Sequence, residues 1–214
     1  MIRPFTAATR RMIADRCAAF PRMAIDVSAV SPKTAPLKRA AVALVLARAG
    51  DGEGTALLLT LRASGLRAHS NQWALPGGRS DPGESAVDTA LRELQEELGL
   101  KLTPDDVIGT FDDYPTRSGY LITPVLMWAA ESNALDPNPD EVASVHRIAL
   151  SEIERNGAFD FIDIPESHRR VIRYDHFGHY IHAPTAALIY QFSELLAGRV
   201  TRVAELEQPV FAWK

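Results

Sequence analysis

GRSDPGESAVDTALRELQEELGL, residues 78–100, is the stretch from which the rest of the chain is read. Residues 84–98 predict a helix, and Gly99 follows as a stop where the backbone must turn left-handed. A helix turns about 100° per residue, so Glu93, Glu96 and Glu97 fall within an arc of about 100°. Val87, Leu91, Leu94 and Leu98 gather on roughly the opposite side. One stripe is therefore predicted to enter a core while the other face presents carboxylates. Like charges at i,i+3 or i,i+4 each cost about 0.2–0.5 kcal/mol on a helix. A hard divalent cation removes that repulsion. Mg²⁺ prefers carboxylate and phosphate oxygens and keeps several waters, so it can polarise a phosphoryl oxygen and activate a water there. Arg92 is placed to pair with Glu96 at i,i+4, or to reach Glu84, and so to hold the array.

Three glutamates on one helix face are ordinarily a solvated surface. The spacing of the whole stretch argues otherwise. It reads G-x5-E-x7-R-E-U-x-E-E-x-G-U, with U apolar, and no position departs from that pattern. Two glycines, an arginine, four glutamates and two apolar positions are all specified, which a chance match does not achieve.

Outward from this helix, the chain alternates strand and helix signals. Residues 6–20 predict a short helix with Ala7, Met12, Ile13, Cys17 and Phe20 roughly on one side, and residues 21–36 a connection. Residues 40–47 and 56–61 are apolar runs of strand length around a turn at 51–54, so they predict neighbours in a buried sheet. Residues 65–83 are rich in Gly, Ser, Asn, Asp and Pro and predict mostly loop. Strands are expected at 107–114 and 120–128 around a turn at 115–119, with loop at 136–140 and a strand at 142–150. Ser151 and Glu154 suggest a capping box for a short helix. Residues 180–181 end a further strand, and Pro184 suits the first position of a helix running to about residue 197. The class is α/β, with residues 1–36 as an N-terminal helix and linker, 37–200 as the main domain and 201–214 as a tail.

Composition narrows the function. Of the 214 residues, 46% are apolar, enough for a packed core, and the net charge of −4 argues against a nucleic-acid partner. The single cysteine, Cys17, excludes an intramolecular disulfide and a cysteine-based zinc site, and simple packing is its expected role. No stretch reaches the length of a membrane span. Arg3, Arg10, Arg11 and Arg16 lie near the start without an apolar core, so the expected location is cytoplasmic, with an organelle transit peptide as the lesser alternative.

The stretch at 78–100 matches the Nudix box, and the chain is identified as resembling that family. The resemblance implies an α/β/α sandwich with a mixed central sheet and a loop–helix–loop motif. It also implies hydrolysis of a nucleoside diphosphate linked to another group. Carried over by position, Glu93, Glu96 and Glu97 correspond to metal ligands, joined by the backbone carbonyl of Gly77, while Arg92 and Glu84 correspond to an orienting pair. Mg²⁺ or Mn²⁺ both suit such an oxygen site. The base that takes the water proton is expected to be Glu96 or the loop residue Glu141. Family members often dimerise, so a homodimer stands beside the monomer as an expectation.

The flanks resemble the coenzyme A pyrophosphatase branch. Residues 58–78 read LLTLRASGLRAHSNQWALPGG, and Leu58, Leu59, Thr60, Arg62, Leu66, Arg67, His69, Gln72, Pro76, Gly77 and Gly78 all agree with that branch. TRSGYLITPV at 116–125 and NPDEV at 138–142 agree as well. Arg62, Arg67 and His69 are the expected substrate-binding residues, because arginine forks suit phosphate oxygens. Departures occur at Ala63, Asn71, Leu75, His182, Ala183 and Pro184; Asn71 stands for a glycine, and Asn tolerates positive φ. The expected substrate is a small nucleotide, coenzyme A or an acyl-CoA. The alternatives are ADP-ribose, dinucleoside polyphosphates or (d)NTPs, and, in another class, a non-catalytic nucleotide-binding module.

Overall fold

The computed structural model describes residues 3–23, 25, 37–65, 71–130 and 135–212. β1 (Lys38–Arg48) and β2 (Thr55–Arg62) form the antiparallel pair that the apolar runs predict, with Leu46 opposite Leu57 and Ala47 opposite Ala56. On the other side of β1 lies β7 (Tyr120–Trp128), parallel to it from Lys38–Tyr120 through Leu46–Trp128. Both faces of β1 are covered, so its sequence is an apolar run rather than an alternation. Leu44 and Leu46 enter one core, and Ala43, Val45 and Ala47 enter the other.

Shorter strands complete a mixed sheet. β3 (Trp73–Ala74) and β8 (Val142–Ala149) pair with β2, and β4 (Gly77–Arg79) pairs with β1. β5 (Val107–Thr110) and β6 (Tyr114–Pro115) pair with β7. One face of this sheet carries α2 (Ala86–Leu98), whose Ala90, Leu94 and Leu98 pack against Ala41, Ala43, Val45 and Leu58. Each fully buried leucine there contributes about 1.5–3 kcal/mol. The opposite face carries α1 (Ala7–Ala18), α3 (Leu150–Ile153) and α4 (Thr185–Leu196). It also carries a second, antiparallel sheet of β9 (Phe159–Ile164), β10 (Ser167–His176) and β11 (His179–His182). The architecture is thus an α/β/α sandwich around a mixed central sheet.

Several expectations change. The helix predicted over 6–20 is α1, capped by Thr6, whose side chain accepts from the Thr9 N–H at 3.3 Å. Ala7 is exposed, and the buried positions are Thr9, Ile13 and Cys17. Cys17 packs against Gly109, where a Cβ would stand 2.6 Å from its sulfur. The Ser151–Glu154 capping box does not form. α3 starts at Leu150 without a side-chain cap, and Glu154 instead accepts a bidentate pair from Arg3, at 2.7 Å from Nε and 2.5 Å from Nη2. A charge-assisted fork is stronger than a neutral cap bond, so the distant arginine wins. The strand expected at 107–114 is two short pieces, interrupted where the buried Asp112 pairs with Arg202 and accepts from the Met23 N–H. β9 and most of β10 have no counterpart in the sequence reading. The C-terminal segment is tied down: Tyr114 Oη donates to the Leu206 carbonyl at 2.8 Å, and Glu207 bridges to Val171. Asn71 adopts φ 56°, the left-handed conformation its place in the pattern calls for. No helix among the described residues is long and apolar enough to cross a membrane.

Candidate active site

α2 is fixed at both ends by local rules. Ser85 caps it, with a reciprocal box to Asp88, and Gly99 closes it at φ 64°. The helix therefore starts two residues later than Glu84, which stands just outside it. The Glu84 carboxylate accepts from Arg92 Nε at 2.8 Å, from Arg92 Nη2 at 3.1 Å and from the Thr89 hydroxyl at 3.1 Å. Arg92 holds that carboxyl far below its usual range, at about 2, and is itself pushed up, chiefly by the same hydrogen bond. Arg92 Nη1 also donates to Glu93 Oε1 at 2.8 Å and to Glu96 Oε2 at 3.2 Å. Both partners open to Arg92 from the sequence are engaged at once.

The carboxylate face of α2 is not turned wholly to water, as its pattern suggested. It lies on β4. Glu96 is exposed, Glu93 is half-buried and Glu97 is only 3% exposed. Two glycines make this close approach feasible. A Cβ on Gly78 would lie 2.6 Å from the Glu93 carboxyl carbon, and one on Gly77 would lie 2.6 Å from Val42 Cα. Gly77 also sits at φ 149°, where an L side chain is strained. Its N–H donates to Glu97 Oε2 at 3.2 Å, and Arg62 Nη1 lies 3.7 Å from Glu97 Oε1. Burial pushes the Glu97 carboxyl up to about 7; the Gly77 N–H and Arg62 oppose this, while Glu93 and Glu141 add to it. Burial likewise raises Glu93, against the pull of Arg92, with Glu96 and Glu141 adding to the rise.

Glu141 reaches this field because its loop is anchored on the end of α2. The Asp136 N–H donates to the Leu98 carbonyl and the Asn138 N–H to the Glu97 carbonyl, both at 2.9 Å, satisfying carbonyls the helix leaves open. Arg62 carries a second sign of a binding role: its Nε is buried with no hydrogen-bond partner among the described residues. Arg67 and His69 lie outside the described residues.

Among the described residues no three His, Cys, Asp or Glu side chains are gathered tightly enough to enclose a metal ion. Arg92 and the Gly77 amide occupy carboxylate oxygens instead. The donor set still has the chemistry of a hard divalent site. It offers only oxygens, two of its carboxylates are raised by burial and by neighbouring carboxylates, and Gly78 leaves space where a side chain would displace Glu93.

Beside the carboxylates, with Gly77 and Gly78 between, lies a cavity of about 580 Å³, within the range of small-molecule sites; no glutamate is among its described lining residues. Gly77, Gly78 and Arg62 form one end of it. Thr116 and Ser118, from the TRSG stretch, line its side. The wall at β3 is Trp73, whose indole is ringed by His146 at 4.5 Å, His176 at 5.5 Å and His179 at 6.4 Å.

A family model of the NUDIX domain matches residues 37–174. The chain belongs to the Nudix family. A Nudix hydrolase of Photorhabdus laumondii, NudL, is 35% identical over 141 residues, which cover 64% of this chain and 75% of that protein. NudL of Citrobacter koseri is 35% identical over 170 residues, covering 77% of this chain and 85% of the relative. Both relatives are named as uncharacterized. Among solved structures, a MutT/nudix family protein of Enterococcus faecalis is 22% identical with a TM-score of 0.48, covering 78% of this chain and 62% of that one. As a Nudix hydrolase, the chain is a pyrophosphohydrolase of nucleoside diphosphate derivatives.

In this Nudix domain the family match ends within β10, yet the cavity does not. Its remaining wall comes from residues 180–188, Gln208 and Phe211. His182, Ala183 and Pro184, which depart from the coenzyme A pattern, all line it. Gln208 and Phe211 carry no local signal: residues 201–214, TRVAELEQPVFAWK, mix charged, polar and apolar side chains.

Proposed function

We propose that this chain hydrolyses the pyrophosphate bond of coenzyme A or an acyl-CoA, yielding 3′,5′-ADP and the 4′-phosphopantetheine half. The observation that carries the reading is that Gly77 and Gly78 serve two structures at once. They let Glu93 and Glu97 lie against β4, and they form the end of the cavity. A pyrophosphate seated there meets the carboxylates on one side while the group it bears extends into the cavity. Further support comes from Arg62, Thr116 and Ser118, residues of the flanking motifs that resemble the coenzyme A branch, because all three line this cavity.

In this reading Glu93, Glu96 and Glu97 hold Mg²⁺ or Mn²⁺, which when bound neutralises phosphoryl oxygens and sharpens a water as nucleophile. The chain's own residues do the rest. Arg92, fixed by Glu84, sets the positions of Glu93 and Glu96. Arg62, with its open Nε, binds a phosphate oxygen and balances Glu97. Glu96 or Glu141 takes the proton of the attacking water; Glu96 has the greater exposure, and Glu141 the fixed loop. One P–O bond forms to water and the bridging P–O bond breaks. The test is a substrate panel of coenzyme A, ADP-ribose, a dinucleoside polyphosphate and an NTP with product identification. Release of 3′,5′-ADP is expected. A preference for an NTP or a dinucleoside polyphosphate overturns the coenzyme A assignment, and tight nucleotide binding without any hydrolysis overturns the catalytic one.

A further inference from the structure

The cavity has two unlike ends. Arg62 and Arg79 stand near Gly77 and Gly78, and they are the only formally charged side chains among the described lining residues apart from the titratable His182. Burial, with Arg173 nearby, lowers the His182 pKa. The other end is built from β11 and the C-terminal segment, with Tyr180, His182, Gln208 and Phe211. Five large apolar side chains are exposed among the described residues. Two of them are here, Tyr180 at 46% and Phe211 at 58%. Exposed rings gathered at a cavity mark a surface that a ligand covers.

Both rings are held rather than loose. The Arg173 guanidinium lies 4.0 Å from the centre of the Tyr180 ring, and Phe211 meets the His182 ring edge-on at 5.2 Å. The segment bearing Phe211 is pinned from below by Glu207, which is 1% exposed. Glu207 accepts from Arg117 Nε at 3.0 Å, from Arg117 Nη2 at 2.5 Å and from the Ser167 hydroxyl at 2.8 Å. Next to it, Gln208 Oε1 accepts from the Arg117 N–H at 2.6 Å. Arg117 belongs to the TRSG loop, whose neighbours Thr116 and Ser118 line the cavity. The tail and that loop are thereby locked together around the cavity.

We infer that Tyr180 and Phe211 are specificity-determining residues that bind the uncharged arm of the substrate, with Glu207 and Arg117 as positioning residues that hold Phe211 at the cavity. The inference rests on the pyrophosphohydrolase reading above. With the pyrophosphate at Gly77 and Gly78 beside the lining cations Arg62 and Arg79, and with Arg173 over Tyr180 already paired with Asp160 at 3.0 Å, the group that reaches Tyr180 and Phe211 is inferred to carry no phosphate. For coenzyme A this is the pantetheine arm, amide-bearing and partly apolar, and the nucleotide with its 3′-phosphate leaves the site on the other side.

The experiment is calorimetric titration of the two product halves, 4′-phosphopantetheine and 3′,5′-ADP, into the full chain with Mg²⁺ present. Wild type is compared with Phe211→Ala, Phe211→Tyr and Glu207→Gln. Phe211→Ala is expected to weaken 4′-phosphopantetheine by about tenfold and to leave 3′,5′-ADP within about twofold, while Phe211→Tyr keeps wild-type affinity for both. Glu207→Gln is expected to weaken the same half by about threefold. Equal loss for both halves, loss confined to 3′,5′-ADP, or no binding of 4′-phosphopantetheine to wild type overturns the inference. Turnover of coenzyme A is measured in parallel. Absent turnover with Phe211-dependent binding of the arm rejects the hydrolase reading and leaves the inference standing. Normal turnover with binding indifferent to Phe211 does the reverse.

Discussion

The two ends of the cavity are built by opposite means. At the Nudix box, nearly every contact that matters joins residues close in sequence or on neighbouring elements: Ser85 with Asp88, Arg92 with Glu84, Glu93 and Glu96, and Gly77 with Glu97. At the far end the decisive pair is Arg117 with Glu207, separated by 90 residues. The difference teaches that the groups for bond cleavage are encoded in one short stretch, while the groups for choosing a substrate are assembled by tertiary packing. Substitutions at the first end are therefore expected to lower kcat, and those at the second to raise KM.

The largest effect is expected at Glu97. Glu97→Gln keeps the shape but removes the carboxylate charge and one of its two oxygens at a buried position, and kcat should fall on the order of 10³-fold with KM little changed. Turnover within a factor of two of wild type would remove Glu97 from the reaction. Next is Gly78→Ala, whose new methyl occupies the space of the Glu93 carboxyl; a displacement of about 1 Å should cost on the order of 10²-fold in kcat while leaving the melting temperature nearly unmoved. Glu207→Gln should act the other way, raising KM by about threefold to tenfold at near-constant kcat and lowering stability by about 2 kcal/mol, read from denaturant unfolding. Equal losses of kcat at Gly78 and Glu207 would break the contrast between the ends. The smallest effect is at Glu84. Its carboxyl is depressed in the folded chain, so its stabilisation is present above the ordinary carboxylate range and disappears as pH falls through about 2. The difference in melting temperature between wild type and Glu84→Gln should be small at pH 6 and should close in strong acid; a difference that grows toward low pH contradicts the Arg92 pairing.

The same contrast governs how much could be read without coordinates. β1 and β2 were legible because a strand buried on both faces must be continuously apolar, and α2 because Ser85, Gly99 and the Leu94–Leu98 stripe obey local rules. β10 was not legible: SHRRVIRYDH carries Arg, Asp or His at six of its ten positions, and only pairing with β9 and β11 on either side makes it a strand. Glu154 was misassigned to a local cap because nothing near it announces Arg3. Glu97 looked like a surface residue on the helical wheel, and its burial comes from β4, a strand whose Gly77 and Gly78 were read as loop. His182 departs from the coenzyme A pattern, but its edge-on contact with Phe211 at the cavity depends on the tail being pinned by Glu207.

Trp73 stands at the boundary between these regions, an indole in the cavity wall with three imidazoles around it. Trp128, by contrast, is buried in a stack on Phe5. Of the two, Trp73 is the fluorophore whose surroundings change when the cavity fills or when an adjacent imidazole takes up a proton. The protein therefore carries a built-in optical reporter of occupancy, and its emission can be followed without attaching a dye to either end of the chain.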